Sequence, residues 1–214
     1  MSNIITLNEA LSSIDKIKTI LENDGVIAVP TDTIYGLAAL VRNERAIKRI
    51  YEIKGRSFLK PLAISVGTVN DISKWSVPTI SNEHLNELLP GPVTLMFPRQ
   101  TTLPDYFNPS VQNVAVRIPD YTFMIELAQR LNEPIALTSA NISDSISSLT
   151  IDEFESLWPK IDLIIDGGLL TKDRTGSTIV DLSVKQQYHI QRYGVDNERI
   201  IKYLKNDCHL TERK

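Results

Sequence analysis

A chain of 214 residues, 42% hydrophobic and 23% charged, has the balance of one large globular domain that buries about 70% of its unfolded surface. Its net charge of -3 argues against a dedicated nucleic-acid binder, whose affinity comes from neutralising phosphates, yet leaves room for a local basic pocket. The lone Cys208 rules out an internal disulfide, no apolar run approaches the ~20 residues of a membrane span, and the N-terminus carries no signal pattern, so the expected location is cytoplasmic, with a mitochondrial pool as the second place.

Asn8 is placed to cap a helix whose Leu11, Ile14, Ile17 and Leu21 share one face, with Gly25 at its end. Val26, Ile27, Ala28 and Val29 follow as a continuous apolar run, the signature of a strand buried on both faces, and Pro30 ends it because proline cannot donate to a ladder. Thr31, Asp32, Thr33 and Tyr35 are then expected to be exposed at the strand's carboxyl end, where open α/β sheets bind ligands, although the same residue types make ordinary turns. Residues 38–41 form a second short apolar run.

Ala46, Ile47, Ile50 and Tyr51 recur at helical spacing, and Gly55 is a natural left-handed cap. Lys54, Arg56 and Lys60 therefore crowd into one loop before the strand at 62–66. Three cations with no intervening carboxylate repel one another unless an anion joins them or solvent screens them. A fork-shaped arginine beside two lysines is also what a polyphosphate requires.

Ser65 lies inside that strand, where a hydroxyl usually bonds a neighbouring carbonyl. Residues 71–75 read as a helical turn with Trp75 covering the core edge. A helix from Ser81 carries Leu85, Leu88 and Leu89, with His84 on its solvated side, and stops at Pro90-Gly91-Pro92. After a strand at 93–97, residues 98–110 make a long loop that is either functional or mobile. Arg117 sits within the apolar strand at 114–118 and needs an anionic partner: an acidic side chain, or the carboxylate of a bound amino acid.

A helix from Thr122 buries Phe123, Leu127, Ala128 and Leu131, and the strand at 135–137 delivers Thr138-Ser139-Ala140-Asn141, donors suited to phosphate or ribose oxygens, extended by Ser147 and Ser148. Thr150 and Glu153 fit a capping box for a helix through Trp158. Strands follow at 163–165, ended by Asp166-Gly167-Gly168, and at 177–182 after a hydrophilic loop at 172–176. His189 to Arg192 reads as the final strand, with His189 exposed, then a turn at Tyr193-Gly194, a helix from Asn197, and a frayed tail after Lys205. The alternation of strands and helices predicts an α/β fold. Neither common glycine-rich phosphate loop occurs, nor HExxH, CxxC or GxSxG, which points to chemistry by positioning and charge neutralisation rather than by a protein nucleophile or a protein-held zinc.

Six stretches, in order, resemble the YrdC family, called TsaC in bacteria: Pro30-Thr31-Asp32-Thr33-Ile34-Tyr35-Gly36-Leu37; Lys54-Gly55-Arg56 with Lys60-Pro61-Leu62; Leu89-Pro90-Gly91-Pro92-Val93-Thr94; Val116-Arg117-Ile118-Pro119; Thr138-Ser139-Ala140-Asn141; and Gly176-Ser177-Thr178-Ile179-Val180-Asp181. Residues 136–158 look closest to eukaryotic YrdC-domain proteins. The resemblance implies a catalytic domain over 1–205 with a polar tail at 206–214, built as a twisted mixed β-sheet flanked by helices around a central positively charged cavity.

It also implies an enzyme that condenses L-threonine, bicarbonate or carbon dioxide, and ATP into threonylcarbamoyl-adenylate and pyrophosphate, for modification of tRNA beside the anticodon. Mg2+ would ride on the ATP phosphates, with no protein metal site. A separate transferase, a KEOPS-type complex or a TsaD-like enzyme, would act downstream, and direct tRNA binding would be weak. Carried over residue by residue, Lys54, Arg56 and Lys60 are the catalytic cations. Arg56, Lys60, Asn113, Ser139, Asn141, Ser147 and Arg192 meet ATP; Thr33, Ser65, Arg117, Leu137 and Ser177 surround threonine, and Tyr35 shapes the pocket. Ser57, Asp144 and Tyr193 depart from the family pattern, Asp144 standing where many relatives have glycine and bringing a negative charge near the phosphate site. A non-catalytic RNA-binding or nucleotide-sensing module is the alternative.

Overall fold

The computed structural model describes residues 4–171 and 173–213, so residues 1–3, Lys214 at the end of the expected tail and Lys172 in the expected loop lie outside it. The apolar run after Gly25 becomes β2 (Ile27–Val29), and its alternate side chains part to opposite sides: Ile27 and Val29 enter one core, Val26 and Ala28 the other. A strand between two apolar layers has no polar face, which is why the run does not alternate.

β3 (Gly36–Leu40), β7 (Ile135–Ser139) and β8 (Leu163–Asp166) split in the same way. With β1 (Ile4–Thr6), β4 (Ala63–Ser65), β5 (Val93–Pro98), β6 (Asn113–Arg117), β9 (Thr178–Asp181), β10 (Gln187–Arg192) and β11 (Thr211–Glu212) they form one mixed sheet. Its order is β1-β8-β2-β3-β7-β4-β6-β5-β9-β10-β11.

On one face lie α1 (Leu7–Ser12), α2 (Ile14–Glu22) and α6 (Thr122–Leu131), burying Ile17, Leu21, Phe123 and Leu127. On the other lie α3 (Glu44–Lys54), the short α4 (Ile72–Trp75), α5 (Asn82–Leu88), a 3-10 stretch at Ile151–Lys160 and α7 (Asn197–Asn206). The protein is thus a mixed α/β domain with helices on both sides of the sheet.

Several local expectations give way to contacts distant in sequence. Thr6, not Asn8, caps the first helix, in a reciprocal box with Glu9, because β1 runs straight into α1 and leaves Asn8 already inside the first turn. The single helix expected here is two, broken at Ser13, where the hydroxyls of Ser12 and Ser13 bond carbonyls one turn back. Thr150 makes no side-chain cap. The Glu153 carboxylate instead takes the Leu149 N–H at 2.7 Å and both arms of Arg174.

Among the described residues the tail is held against the sheet up to Arg213, and β10 is not the last strand. Leu210 is buried, β11 pairs in parallel with β10, and the Arg213 guanidinium bonds Asp181. His189 is half-buried, its Nδ1 2.9 Å from the Arg213 carbonyl, and His84 is half-buried with its Nδ1 2.9 Å from the Tyr203 hydroxyl, so neither is solvated as expected.

The long loop after β5 is fixed by Arg99, which donates to the carbonyls of Leu103, Pro104, Phe107 and Asn108. Buried Asn108 in turn grips the backbone of Leu62 through both N–H and C=O, at 2.9 and 2.8 Å. The loop therefore braces the entry to β4, directly after the three clustered cations.

Candidate active site

The residues following Pro30 do not stand exposed at a strand end. β2 and β3 are an antiparallel hairpin, and residues 30–35 are its connection. Thr31 Oγ1 accepts the N–H groups of Thr33 and Ile34 and donates to the Ile34 carbonyl at 2.7 Å, so the loop satisfies its own polar atoms. Tyr35 N–H donates to the Ser148 carbonyl and the Tyr35 carbonyl accepts from Ala140. The Tyr35 hydroxyl accepts from Gly167 N–H and donates to the Gly168 carbonyl, and burial first of all pushes its pKa up. Thr31, Thr33 and Tyr35 are consequently buried.

This hairpin loop forms one wall of a cavity of about 930 Å³. The floor comes from β5, β6 and β9: Thr94, Met96, Ala115 and Ile179 face the cavity, while Leu95, Phe97, Val114, Val116 and Val180 point into the core. The opposite rim is the loop bearing Arg56 and Lys60. Of the residues expected to bind substrates, Arg56, Lys60, Asn113, Arg117, Leu137, Ser139, Ser177 and Arg192 all line this one hollow. Thr33, Ser65, Asn141, Ser147 and Lys54 stand outside its lining.

At one end, Arg117 donates to Asp32 at 2.6 Å, both side chains less than a tenth exposed. Asp32 also receives the Asp120 N–H at 3.1 Å. The structural alternative for the arginine's partner, an acidic side chain, is therefore realised. Burial pulls the Arg117 pKa down, Asp32 opposes the fall, and the Arg192 charge adds to it.

Beside this pair, Ser65 stands opposite Arg117 in the parallel β4–β6 register. Ser65 Oγ and Arg117 Nε are buried without a hydrogen-bond partner among the described residues. Ser65 thus does not bond a neighbouring carbonyl as expected. A buried polar group left unpaired costs about 1–3 kcal/mol; of these two residues Arg117 lines the hollow, whereas Ser65 lies behind its lining. Thr33 lies behind the lining, its hydroxyl 3.2 Å from that of Thr31.

On the neighbouring strands, Ser177 Oγ is 2.8 Å from Thr94 Oγ1, and Arg192 Nη2 donates to the Ser177 carbonyl at 2.7 Å. Gly176 precedes it at φ +70°, and a Cβ there would lie 3.2 Å from Arg192 Nη2, so glycine lets the guanidinium lie against the backbone. Burial lowers the pKa of Arg192.

The basic loop begins at Lys54, the last residue of α3, followed by Gly55 at φ +56°. Lys54 is fully buried, and its ammonium donates to the Ser139 carbonyl, to the Asn141 carbonyl at 2.8 Å and to Asn141 Oδ1 at 3.0 Å. A lysine has three donors, and these contacts use them. Lys54 therefore shapes the turn after β7 rather than facing the cavity. Burial, and next the neighbouring Arg56, pull its pKa down to about 7, with Asp144 opposing.

Within that turn Ser139 Oγ donates to Asn141 Oδ1 at 2.6 Å and Asn141 Nδ2 to the Ser145 carbonyl at 2.6 Å. Ser147 lies beyond it, its carbonyl held by Arg174 at 2.9 Å. Arg56 donates to the carbonyls of Lys60 and Pro61, both at 3.0 Å, and Lys60 is bonded to both oxygens of Asp144 at 2.7 Å. Asp32, Thr94, Arg174 and Asp144 hold the site residues in place without having been assigned that part from sequence. Thr94 and Asp32 fell within family-like stretches, whereas nothing local marks Arg174.

A family profile named Sua5_yciO_yrdC and described as "Telomere recombination" matches residues 19–194. The chain is 45% identical over 179 residues to the threonylcarbamoyl-AMP synthases of Mus musculus and Homo sapiens, covering 81% of this chain and 64% of theirs. It is 33% identical to that of Pyrococcus abyssi over 84% of this chain and 53% of the relative. The chain thus spans somewhat less than two thirds of the length of these relatives.

Among solved structures, P. abyssi Sua5 complexed with L-threonine has a TM-score of 0.85 at 28% identity, covering 100% of this chain and 62% of that one. E. coli YciO, at 23% identity, shares the fold with a TM-score of 0.80 over 91% of this chain and 97% of its own.

Proposed function

The chain belongs to the Sua5/YciO/YrdC family, and on that premise we propose that it is an L-threonylcarbamoyladenylate synthase, joining L-threonine, carbon dioxide or bicarbonate, and ATP, with release of pyrophosphate. The observation that carries the proposal is the convergence of Arg56 and Lys60, Ser139, and Arg192, from three separate segments, on one hollow that also holds Arg117 and Ser177. The name shared by the curated relatives and the threonine complex of the archaeal relative support the same reading.

In this reading threonine lies at the Arg117 end. Asp32 takes one hydrogen at Arg117 Nη2, which leaves the other guanidinium donors, at Nη1 and Nε, to meet the carboxylate of the amino acid, with Ser65 behind them. The neutral threonine amine adds to carbon dioxide, forming the N–C bond and releasing a proton. An oxygen of the resulting carbamate then attacks the α-phosphorus, and the bond to pyrophosphate breaks. No side chain need act as nucleophile. The protein holds two reactants in line and compensates phosphate charge with Arg56, Lys60 and Arg192, contributions that account for most of phosphoryl-transfer catalysis.

Among the described residues no three His, Cys, Asp or Glu side chains gather as a metal site, and magnesium would enter on the triphosphate oxygens. The roles of Lys54, Asn113, Asn141, Ser147, Thr33 and Leu137 belong to the same proposal, Lys54 through the turn it holds. The product is a mixed anhydride, so its consumer is an acyl transferase, of the KEOPS-type or TsaD-like class, acting on tRNA. A cytoplasmic location, with a mitochondrial pool, is part of the proposal; among the described residues no helix is long and apolar enough to cross a membrane.

The test follows pyrophosphate from ATP and magnesium while threonine and bicarbonate are omitted in turn. Release requires both, and Arg56→Ala and Lys60→Ala abolish it. RNA binding with steep salt dependence and no turnover would establish the non-catalytic alternative instead.

A further inference from the structure

The three clustered cations lack a carboxylate in their own loop, and the fold supplies one from elsewhere. Asp144, on the loop after β7, places both carboxylate oxygens 2.7 Å from Lys60 Nζ. Its backbone sits at φ +66°, a left-handed conformation that side chains other than glycine's adopt at a cost and that Asp and Asn tolerate best. The bond to Lys60 is the main cause that holds its pKa below the usual range, and the charges of Arg56 and Lys54 add to it.

Among the described residues, Asp144 is the only carboxylate in an ion pair with any of these cations. The pair lies at the cavity rim, 45% and 78% exposed, where an incoming polyphosphate can reach it.

We propose that Asp144 is a built-in counter-anion of the nucleotide site: it holds Lys60 until a phosphate displaces it, and so sets how tightly the protein binds phosphorylated nucleotides. The inference rests on the reading of Lys60 as a phosphate ligand. Any anion that needs Lys60 must first break the Lys60–Asp144 contacts, and the released carboxylate then lies close to the bound phosphate. A ligand without phosphates meets neither obstacle. An exposed pair is weak, so the effect is modest, about two- to fivefold in affinity.

The experiment is calorimetric titration of Mg-ATP, and separately of adenosine, into the wild-type protein, Asp144→Asn, Lys60→Ala and the double variant, without threonine. Asparagine keeps the left-handed backbone and removes only the charge. Asp144→Asn should bind ATP about two- to fivefold more tightly, bind adenosine as the wild type does, and show a smaller gain when Lys60 is already alanine. Unchanged or weaker ATP binding by Asp144→Asn, while Lys60→Ala still loses affinity, overturns the counter-anion role and leaves the phosphate role of Lys60 standing. Unchanged ATP binding by Lys60→Ala removes that phosphate role, and the proposal with it.

Discussion

Asn141 wraps the Lys54 ammonium from two sides, its carbonyl at 2.8 Å and its Oδ1 at 3.0 Å, so the end of α3 and the turn after β7 are fastened together inside the protein. Removing the ammonium leaves buried oxygens unpaired. Lys54→Met should therefore lower stability by about 1–3 kcal/mol and, if Ser139 meets ATP as proposed, raise the KM for ATP, because the same ammonium holds Ser139 at the cavity. Denaturant unfolding and steady-state kinetics check the two parts.

The same lysine gives a pH signature with a defined sign. Its folded pKa, about 7, lies below its ordinary value of 10.5. Below pH 7 both states carry the proton. Between about pH 7 and 10 the unfolded chain binds a proton that the folded protein does not, so unfolding becomes less favourable as pH rises. The wild type should gain stability relative to Lys54→Met across that window, measured by denaturation at each pH. A flat difference would show that the buried amine keeps its proton throughout.

Ser65 and Asp32 should behave in opposite ways. Ser65→Ala removes an unpaired buried hydroxyl and should be neutral or slightly stabilising, yet raise the KM for threonine and leave that for ATP unchanged. Asp32→Ala strands a buried guanidinium and should cost about 3–5 kcal/mol in stability. Thermal unfolding with separate threonine and ATP titrations distinguishes them.

Arg174 grips Glu153 with both arms and the Ser147 carbonyl with one, joining its own loop to the 3-10 stretch and to the loop after β7. This contact, first of all, holds the Glu153 carboxyl at about pH 2, so the pair stays charged throughout the working range and is lost only as pH falls towards that value. Arg174→Ala should raise the KM for ATP more than that for threonine. Exchanging the two residues, as Arg174→Glu with Glu153→Arg, should recover part of the loss. No recovery would mean that the carbonyl contact alone matters.

Much of the scaffold was legible because it is written in local periodicity. The unbroken apolar run at β2, the helical spacing from Ala46 to Tyr51 and the glycine after Lys54 each report a requirement their own neighbours impose. The site's partners were not legible in that way. Arg117 announced that it needed an anion, but Asp32 lies 85 positions away, and Lys60 meets Asp144 across 84. The burial of Thr31 and Thr33 depends on β3 pairing back against β2 and on the loop at 140–148 closing over both, neither of which leaves a local mark. The order of the tail is illegible for the same reason: its polar residues hide the single anchor Leu210 and the distant Asp181.

The central claim is that a carbamate formed on threonine and the α-phosphate of ATP meet in the hollow between Arg117 and Arg56. Incubation with carbon-labelled bicarbonate, threonine and Mg-ATP, followed by mass spectrometry of the nucleotide products, measures this directly. The account predicts one adduct containing label, threonine and AMP together, absent when Arg56 or Arg117 is alanine. Conversion of ATP to AMP with no labelled adduct, or the same turnover without threonine, would contradict it.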